Sequence, residues 1–321
     1  MRNHFSFEIP FMRYRKVFLT VSAIMTVLAL AGIAVRGLTF GIEFQGGTEI
    51  DFNDTGEVTI EQMRDALVDA GESDPTVQTT TSADGENGFI VRSDTTDPTE
   101  ANAHASAVAT ALSLPSESYN VTTIGPDWGA DVTKSSLMAF ALAIVLIIAY
   151  VSIRYEFKMS ITAVIALIHD MVIILGIYAW TQIPVTPNVV AALLSTMGFS
   201  LYDTVVEFDR TNDNAKTLKD GIHRTYYDIC NFSINEVVVR SINTTITTLV
   251  PELAMYFFGG ATLKDFAFAM ILGELLGTYS SYGVATPLLA MWKTREPKWA
   301  KLEARFGAGA GDPVPADGKA A

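Results

Sequence analysis

An α-helical polytopic membrane protein is the fold class this sequence predicts, with six transmembrane helices and one extracytoplasmic α+β ferredoxin-like domain between the first and second. Three observations lead there. Of the 321 residues, 49% are hydrophobic, and they are blocked into long runs. Six of those runs reach the roughly 20 apolar residues that a bilayer core demands of a helix. The stretch between the first and second runs is instead rich in acid and alternates like strands and short helices.

The first run, 17–36, follows a cytoplasmic N-terminus at 1–16. It is too long for the apolar part of a signal peptide, and Gly37 leads into a folded-looking segment with no clear cleavage site. Residues 40–133 make the outside domain. Thr48 to Phe52 alternates like a strand. Thr59 to Ala70 puts Ile60, Met63, Ala66, Leu67 and Ala70 on one helical face. Val77 to Thr81 and Phe89 to Ser93 read as strands, joined by a turn through Asp84-Gly85-Glu86-Asn87-Gly88. Thr99 to Leu112 is an alanine-rich helix, and Tyr119 to Ile124 a last strand. This β-α-β-β-α-β order suggests a ferredoxin-like fold. The runs 136–153, 160–181, 189–208, 238–258 and 266–292 supply spans two to six. Residues 293–321 form a cytoplasmic tail. After Phe306 it is Gly-, Ala- and Pro-rich, cannot bury a core, and is expected to be disordered.

The net charge of −13 is unevenly spread: Gly41 to Val132 holds 18 acidic residues against two basic ones, Arg64 and Arg92. Such an excess repels itself at low salt and is screened at molar salt. It suggests a salt-loving source; an acidic interaction surface is the other reading. Lysine and arginine gather on cytoplasmic faces. Here they mark the N-terminus (Arg2, Arg13, Arg15, Lys16), the second-to-third connection (Arg154, Lys158), the fourth-to-fifth (Arg210, Lys216, Lys219, Arg224) and the tail (Lys293, Arg295, Lys298, Lys301, Arg305). Both termini are therefore expected inside, in a multi-pass plasma-membrane protein. Tyr178, Trp180, Trp292 and Trp299 fit interfacial belts.

Several chemistries lack support. Gly46-Gly47 has no following lysine or helix start, so there is no phosphate loop. No His/Cys/Asp cluster has zinc spacing. Cys230 is the lone cysteine, expected to be an inert loop thiol. The chain is not expected to be an enzyme, to hold a cofactor or metal, or to bind nucleic acid. What remains is charge inside the membrane, which is costly and by default marks an ion or proton pathway. His169 and Asp170 interrupt the third span. Asp203 and Glu207 lie four apart on one face of the fourth, with Ser200 on the same face. Arg240 sits near the cytoplasmic start of the fifth, with Thr244 one turn on; Glu252 follows Pro251 deeper in, and Glu274 is in the sixth. Burial and a neighbouring cation pull a carboxyl's proton affinity in opposite directions, so Asp203 facing Arg240 suits a relay; a static ion pair fixing helix packing is the alternative. His169-Asp170 and Ser200 fit relay or packing equally. Glu207 sits near the inner interface, where solvation is cheap. Gly198, Ser200, Gly273, Gly277, Ser280, Ser281 and Gly283 allow close helix approach.

Gly41 to Thr48 after the first span, His169-Asp170 in the third, Gly198 to Arg210 in the fourth, Arg240 and Thr244 in the fifth and Gly277 to Ser281 in the sixth together resemble segments of the SecF family of protein-export membrane proteins, in the resistance-nodulation-division superfamily. Gly41-Ile42-Glu43-Phe44-Gln45-Gly46-Gly47-Thr48 is similar to the family's motif at the domain entry. Gly198 to Val206 with Phe208-Asp209-Arg210 is similar to its fourth-span motif. Ser233-Ile234-Asn235, Arg240, Thr244 to Leu249 and Phe258-Gly259-Gly260 are similar to the fifth, and Gly277-Thr278-Tyr279-Ser280-Ser281 to the sixth. His169-Asp170 is similar to the third-span pair. The likeness runs from about 17 to 293. It departs at Glu43, for an aspartate; at Tyr202, for an asparagine; and at Pro251-Glu252, for an apolar stretch, where the fifth helix is expected to kink.

The resemblance implies an ion-gradient-driven accessory subunit of the Sec translocon. Its partners would be SecD, a SecY-type channel, the translocating polypeptide and the lipid bilayer. It implies Asp203 as relay carboxylate, Arg240 as essential cation and Thr244 as neighbour, and with the acidic composition it suggests a halophilic archaeon. The coupling ion, proton or sodium, stays open. Half of a small-solute exporter is an alternative, disfavoured by the single modest outside domain. An intramembrane aspartyl enzyme using Asp170 and Asp203 is another, disfavoured because no Gly-x-Gly precedes Asp203.

Overall fold

A computed structural model describes residues 9–73, 75–81, 87–115, 118–217 and 225–306. Helix α1 (Arg15–Arg36) leads through a short turn, α2 (Ile42–Gln45), into strand β1 (Gly47–Phe52). Between them Gly46 and Gly47 have φ of 79° and 119°. A Cβ at Gly47 would lie 2.5 Å from the Ser93 carbonyl oxygen, so a side chain there would have to push the neighbouring strand away.

The α+β domain continues with α3 (Ile60–Asp69), β2 (Thr76–Thr81), β3 (Asn87–Ser93), α4 (Pro98–Ala111) and β4 (Tyr119–Ile124). The sheet runs β2-β3-β1-β4, every neighbouring pair antiparallel, with Ile50 opposite both Val91 and Val121. Both helices start on caps. Thr59 and Gln62 form a reciprocal capping box, and the Asp97 side chain accepts from the Thr99 and Glu100 amides with Pro98 in the first turn. Ile50, Phe52, Met63, Leu67, Val91 and Ala105 fill the core between helices and sheet. The strand period of two then puts Glu49, Asp51, Gln78 and Arg92 on the opposite face. Of the expected hairpin turn, residues 84–86 lie outside the described residues.

The long helices follow: α5 (Pro126–Arg154), α6 (Phe157–Thr181), α7 (Pro187–Thr217), α8 (Tyr226–Phe258), α9 (Gly260–Ser280), a π-helical turn (Ser281–Ala285), α10 (Thr286–Lys293) and α11 (Pro297–Phe306). Among the described residues, α1, α5, α6 and α7 are long and apolar enough to cross a membrane. The standard is not reached by α8, with Arg240 and Glu252, or by α9, with Lys264, Asp265 and Glu274, so four of the six expected spans meet it. Helix α5 begins at Pro126, inside the segment expected to belong to the outside domain, because a proline at the first turn and Asp127 start the helix early. Helix α8 likewise begins well before residue 238, and it passes Pro251 as one continuous helix. Helix α11 was not anticipated; the residues beyond Phe306, expected to be disordered, lie outside the described residues, as do Arg2, Lys219 and Arg224.

Helix α6 occupies the centre of the bundle: 61% of its apolar window is buried, against 6% for the peripheral α5. Small residues bring the neighbours in. A Cβ on Gly176 would meet the Ala29 Cβ of α1 at 2.3 Å; on Gly273 it would meet Thr196 Cγ2 of α7 at 2.2 Å, and on Gly277 the Ser200 Cβ at 2.7 Å. At the end of the bundle bearing α11, Ile9 and Asn235 exchange two hydrogen bonds of 2.8 Å, and Trp299 packs edge-on against Tyr226. Trp299 is thus buried, and Tyr178 is fully buried with its hydroxyl on the Asp265 carbonyl, so neither forms an interfacial belt. Cys230 is a buried residue of α8, not a loop thiol.

Candidate functional site

Three carboxylates on α6 and α7 anchor a polar seam through the bundle. Asp170, fully buried, accepts from Ser200 Oγ of α7 at 2.8 Å and Ser280 Oγ of α9 at 2.7 Å, while His169 Nδ1 lies 3.0 Å from its other oxygen. One side chain therefore ties three helices together. His169 Nε2 is buried without a hydrogen-bond partner among the described residues. Asp203 is solvated differently. It accepts from Ser241 Oγ of α8 at 3.1 Å and Thr278 Oγ1 of α9 at 3.4 Å, and Thr278 is 2.8 Å from Thr245 of α8. Glu207, one turn on, accepts from Thr211 at 2.9 Å and from Thr286 of α10. Apart from the His169 ring nitrogen at Asp170, these partners are hydroxyls, which satisfy a carboxylate without fixing its charge.

The π-helical turn shapes this seam. It lets Tyr282 donate to Ser241, which itself donates to Asp203, and brings Ser281 within 2.8 Å of Thr204. Such a bulge shifts side-chain register locally and recurs at functional sites.

The expected residues fall into separate groups. Ser200 serves Asp170 rather than Asp203. Arg240 is level with Asp203, not near the start of its helix, since its neighbour Ser241 holds that carboxylate. The guanidinium makes no ion pair with Asp203 within the described residues; it donates to the Tyr202 hydroxyl and lies 5.6 Å from the Tyr202 ring centroid. The reason is local: Tyr202 precedes Asp203 and points outward, half exposed, on the side where Arg240 lies. The Thr244 hydroxyl is spent on the Arg240 carbonyl at 3.0 Å. Thr248 of α8 donates to Glu274 of α9 at 2.7 Å, and Glu252 has a buried oxygen with no hydrogen-bond partner among the described residues. Sequence reasoning missed Ser241, Thr278 and Thr286 as carboxylate partners, and Tyr282 as the donor to Ser241; their hydroxyls at helical spacing were the only signal.

The domain-entry motif staples the α+β domain to the bundle. The Gly41 amide donates to the Val185 carbonyl at 2.9 Å, and the Val185 amide to the Thr39 carbonyl at 2.8 Å. A cavity of about 320 Å³ lies between the free face of the sheet and the outer ends of α8 and α9, lined by Glu43, Glu49, Asp51, Arg92, Tyr256 and Asp265 among others. Arg92 pairs with Glu49 at 2.7 Å. Burial, and then the nearby Glu49 charge, push the Asp51 carboxyl above its usual range; Glu43 is also raised, chiefly by burial.

The comparisons with known proteins bear on this arrangement. The family described as protein export membrane protein SecD/SecF, C-terminal, matches residues 105–295, and the SecD/SecF GG motif matches 31–52. The protein translocase subunit SecF of Streptomyces coelicolor is 34% identical over 92% of this chain and 79% of its own length. That of Desulfurispirillum indicum is 36% identical over 92% and 96%. Both sources are bacteria, and the archaeal origin suggested by the acidic balance gains no support. The crystal structure of SecDF from Thermus thermophilus, a translocon-associated membrane protein, superposes with a TM-score of 0.80 at 27% identity over 90% of this chain; the match spans 39% of that longer chain. Motifs, sequence and fold agree along most of the length: the chain belongs to the SecF family of SecD/SecF protein-export membrane proteins.

Proposed function

We propose that this chain is an ion-gradient-driven accessory subunit of the Sec translocon that works with a SecD partner to promote export of polypeptides through a SecY-type channel across the plasma membrane. The observation that carries the reading is the Arg240 face. Arg240, Tyr202, Asn243 and Thr247 are exposed on adjoining α7 and α8 surfaces, at the depth of the buried Asp203. A guanidinium at that depth is too costly to leave against lipid. Helices of a second chain are the cover this surface fits.

In this reading Asp203 is the relay carboxylate, Arg240 the mobile cation and Thr244 the hydroxyl that fixes the Arg240 turn. Asp170, with His169 and Ser200, holds α6, α7 and α9 in register, and Glu207 anchors α10. Arrival of an ion at Asp203 changes its charge, Arg240 exchanges Tyr202 for that carboxylate or the reverse, and the helices shift. Gly41, Glu43, Gly46 and Gly47 carry the shift to the outside domain, which acts on the emerging polypeptide. The strand order, with both helices on one face, supports a ferredoxin-like domain. Six spans with both termini cytoplasmic are supported by Arg154, Lys158, Lys216 and Lys293 at one end of the bundle, opposite the acidic domain.

The test is a pulse-chase of a signal-bearing precursor, comparing wild type with Asp203→Asn at matched levels and normal assembly with SecD. The substitution is nearly isosteric and removes the titratable charge. Maturation is expected to slow by about tenfold or more. Wild-type maturation would refute the relay role of Asp203.

A further inference from the structure

Two more carboxylates lie between Asp203 and the outside domain, and neither belongs to the family motifs quoted above. Glu274 of α9 is 5% exposed and Glu252 of α8 is 4% exposed. Each faces the seam. Thr245, Thr248 and Glu252 follow one another on the inner face of α8 at spacings of three and four, while Glu274 and Thr278 are four apart on α9. The rungs are explicit: Thr245 to Thr278 at 2.8 Å, then Thr248 to Glu274 at 2.7 Å, with Glu252 one turn further out. Glu252 lies within electrostatic range of Glu274, and Glu274 within range of Asp203. Glu252 is about 10 Å beyond Thr245 along α8. One further turn outward, Tyr256 lines the cavity beneath the sheet, with Lys264 and Asp265.

The buried Glu252 oxygen has no hydrogen-bond partner among the described residues. A carboxylate oxygen in that state is costly, and a carboxyl that takes a proton relieves the cost. Two neighbouring carboxylates in an apolar site also repel each other. Two carboxyls and one threonine hydroxyl also offer fewer oxygens than the six or more a hard cation takes.

We propose that Glu252 and Glu274 form an outer carboxyl station that takes up one proton from the cavity under the outside domain and hands it to Asp203. The proposal rests on the relay reading of Asp203. On uptake, one carboxylate oxygen gains the proton and becomes a carboxylic acid. On hand-over that O–H bond breaks and the proton passes inward to the Asp203 carboxylate, where a new O–H bond forms, and the station returns to its starting charge. No electrons change hands. Among the described residues, the charged or titratable groups around this region include Arg240 and Tyr282 beside Asp203, His169 and Asp170 on α6 against α9, and Tyr256, Lys264 and Asp265 at the cavity.

The experiment is precursor maturation in cells carrying the full complex, at external pH from about 5.5 to about 8.5, for wild type, E252Q/E274Q, E274D and D203N. A station that collects protons matters most when they are scarce. E252Q/E274Q is expected to be about fivefold slower at the alkaline end and close to wild type at the acid end. E274D is expected to recover most of the alkaline rate, and D203N to be slow throughout. A packing role alone would give a deficit indifferent to external pH, which overturns the proposal. E252Q/E274Q matching wild type at every pH while D203N is slow overturns the station alone; wild-type rates for D203N as well overturn the relay reading beneath it. A deficit that follows external sodium instead of pH overturns the proton assignment. Wild-type protein supplies a second measurement should the double variant not assemble. Carbodiimide modifies protonated carboxyls in apolar surroundings, and peptide mapping is expected to find it on Glu252 or Glu274; label on neither overturns the proposal.

Discussion

Tyr202 holds Arg240 by a hydrogen bond to its hydroxyl and by its ring face, so the guanidinium makes no ion pair with Asp203 among the described residues. The planar guanidinium suits both contacts, a donor to an oxygen and a cation over a ring. In the proposed cycle Arg240 has two places to be, Tyr202 and Asp203, and a switch needs two states of similar free energy. Tyr202→Phe keeps the ring and removes the hydroxyl. It is expected to leave assembly intact and change the export rate by about threefold or more, since a net hydrogen bond contributes about 1 kcal/mol. Pulse-chase maturation beside a blot of the assembled complex checks it; an unchanged rate would mean the bond is idle in the cycle.

Helix contacts are set by the absence of side chains as much as by their presence. Thr196 is buried against Gly273, and a Cβ on that glycine would sit 2.2 Å from its methyl group. Gly273→Ala is therefore expected to destabilise the bundle by about 1–3 kcal/mol, the usual range for overpacking. Thr196→Ala should restore part of that loss, because it removes the atoms in conflict. Thermal unfolding of the purified complex in detergent measures both. If the pair is merely additive, α7 and α9 do not meet at these residues. The same tight α7–α9 approach brings Thr278 of α9 to Asp203 of α7, so loosening it should also disturb the seam.

Across the whole molecule, charge is divided between an acidic α+β domain and a bundle whose cationic residues gather at the other end. Glu43, Glu49 and Asp51 converge on the cavity where domain and bundle meet. Burial raises the Glu43 and Asp51 carboxyls in the folded protein. The folded state therefore binds more protons there than the unfolded state. Stability from this seam is present at pH below the raised values and is lost as pH rises through them. Salt acts in the same direction as acid, by screening the repulsion. Thermal unfolding near neutral pH is expected to shift upward between about 0.1 M and about 2 M salt, and by less at mildly acid pH, where part of the charge is already gone. A midpoint indifferent to salt would count against self-repulsion of the acidic domain.

The outside domain was legible because its elements announce themselves locally. Period-two strands, a capping box at Thr59 and the Asp97-Pro98 start each need only a few neighbouring residues, and the observed bounds differ from the expected ones by one or two residues. The apolar runs were legible for the same reason, since length and composition decide whether a helix can be buried in lipid. Helix ends were less so: α8 starts well before its apolar run, because a helix continues past the hydrophobic zone wherever capping and packing support it. The identities of the buried carboxylates could be read from the chain, since a charge in an apolar run stands out against its neighbours. Their partners could not. Ser200 serving Asp170, Ser241 and Thr278 serving Asp203, and Arg240 turned to Tyr202 depend on how four helices are rotated and how closely they approach. The sequence by itself determined which groups must be hidden from lipid; only the tertiary structure decided which hydroxyl meets which carboxylate, because helix rotation and depth are set by packing between segments far apart in the chain.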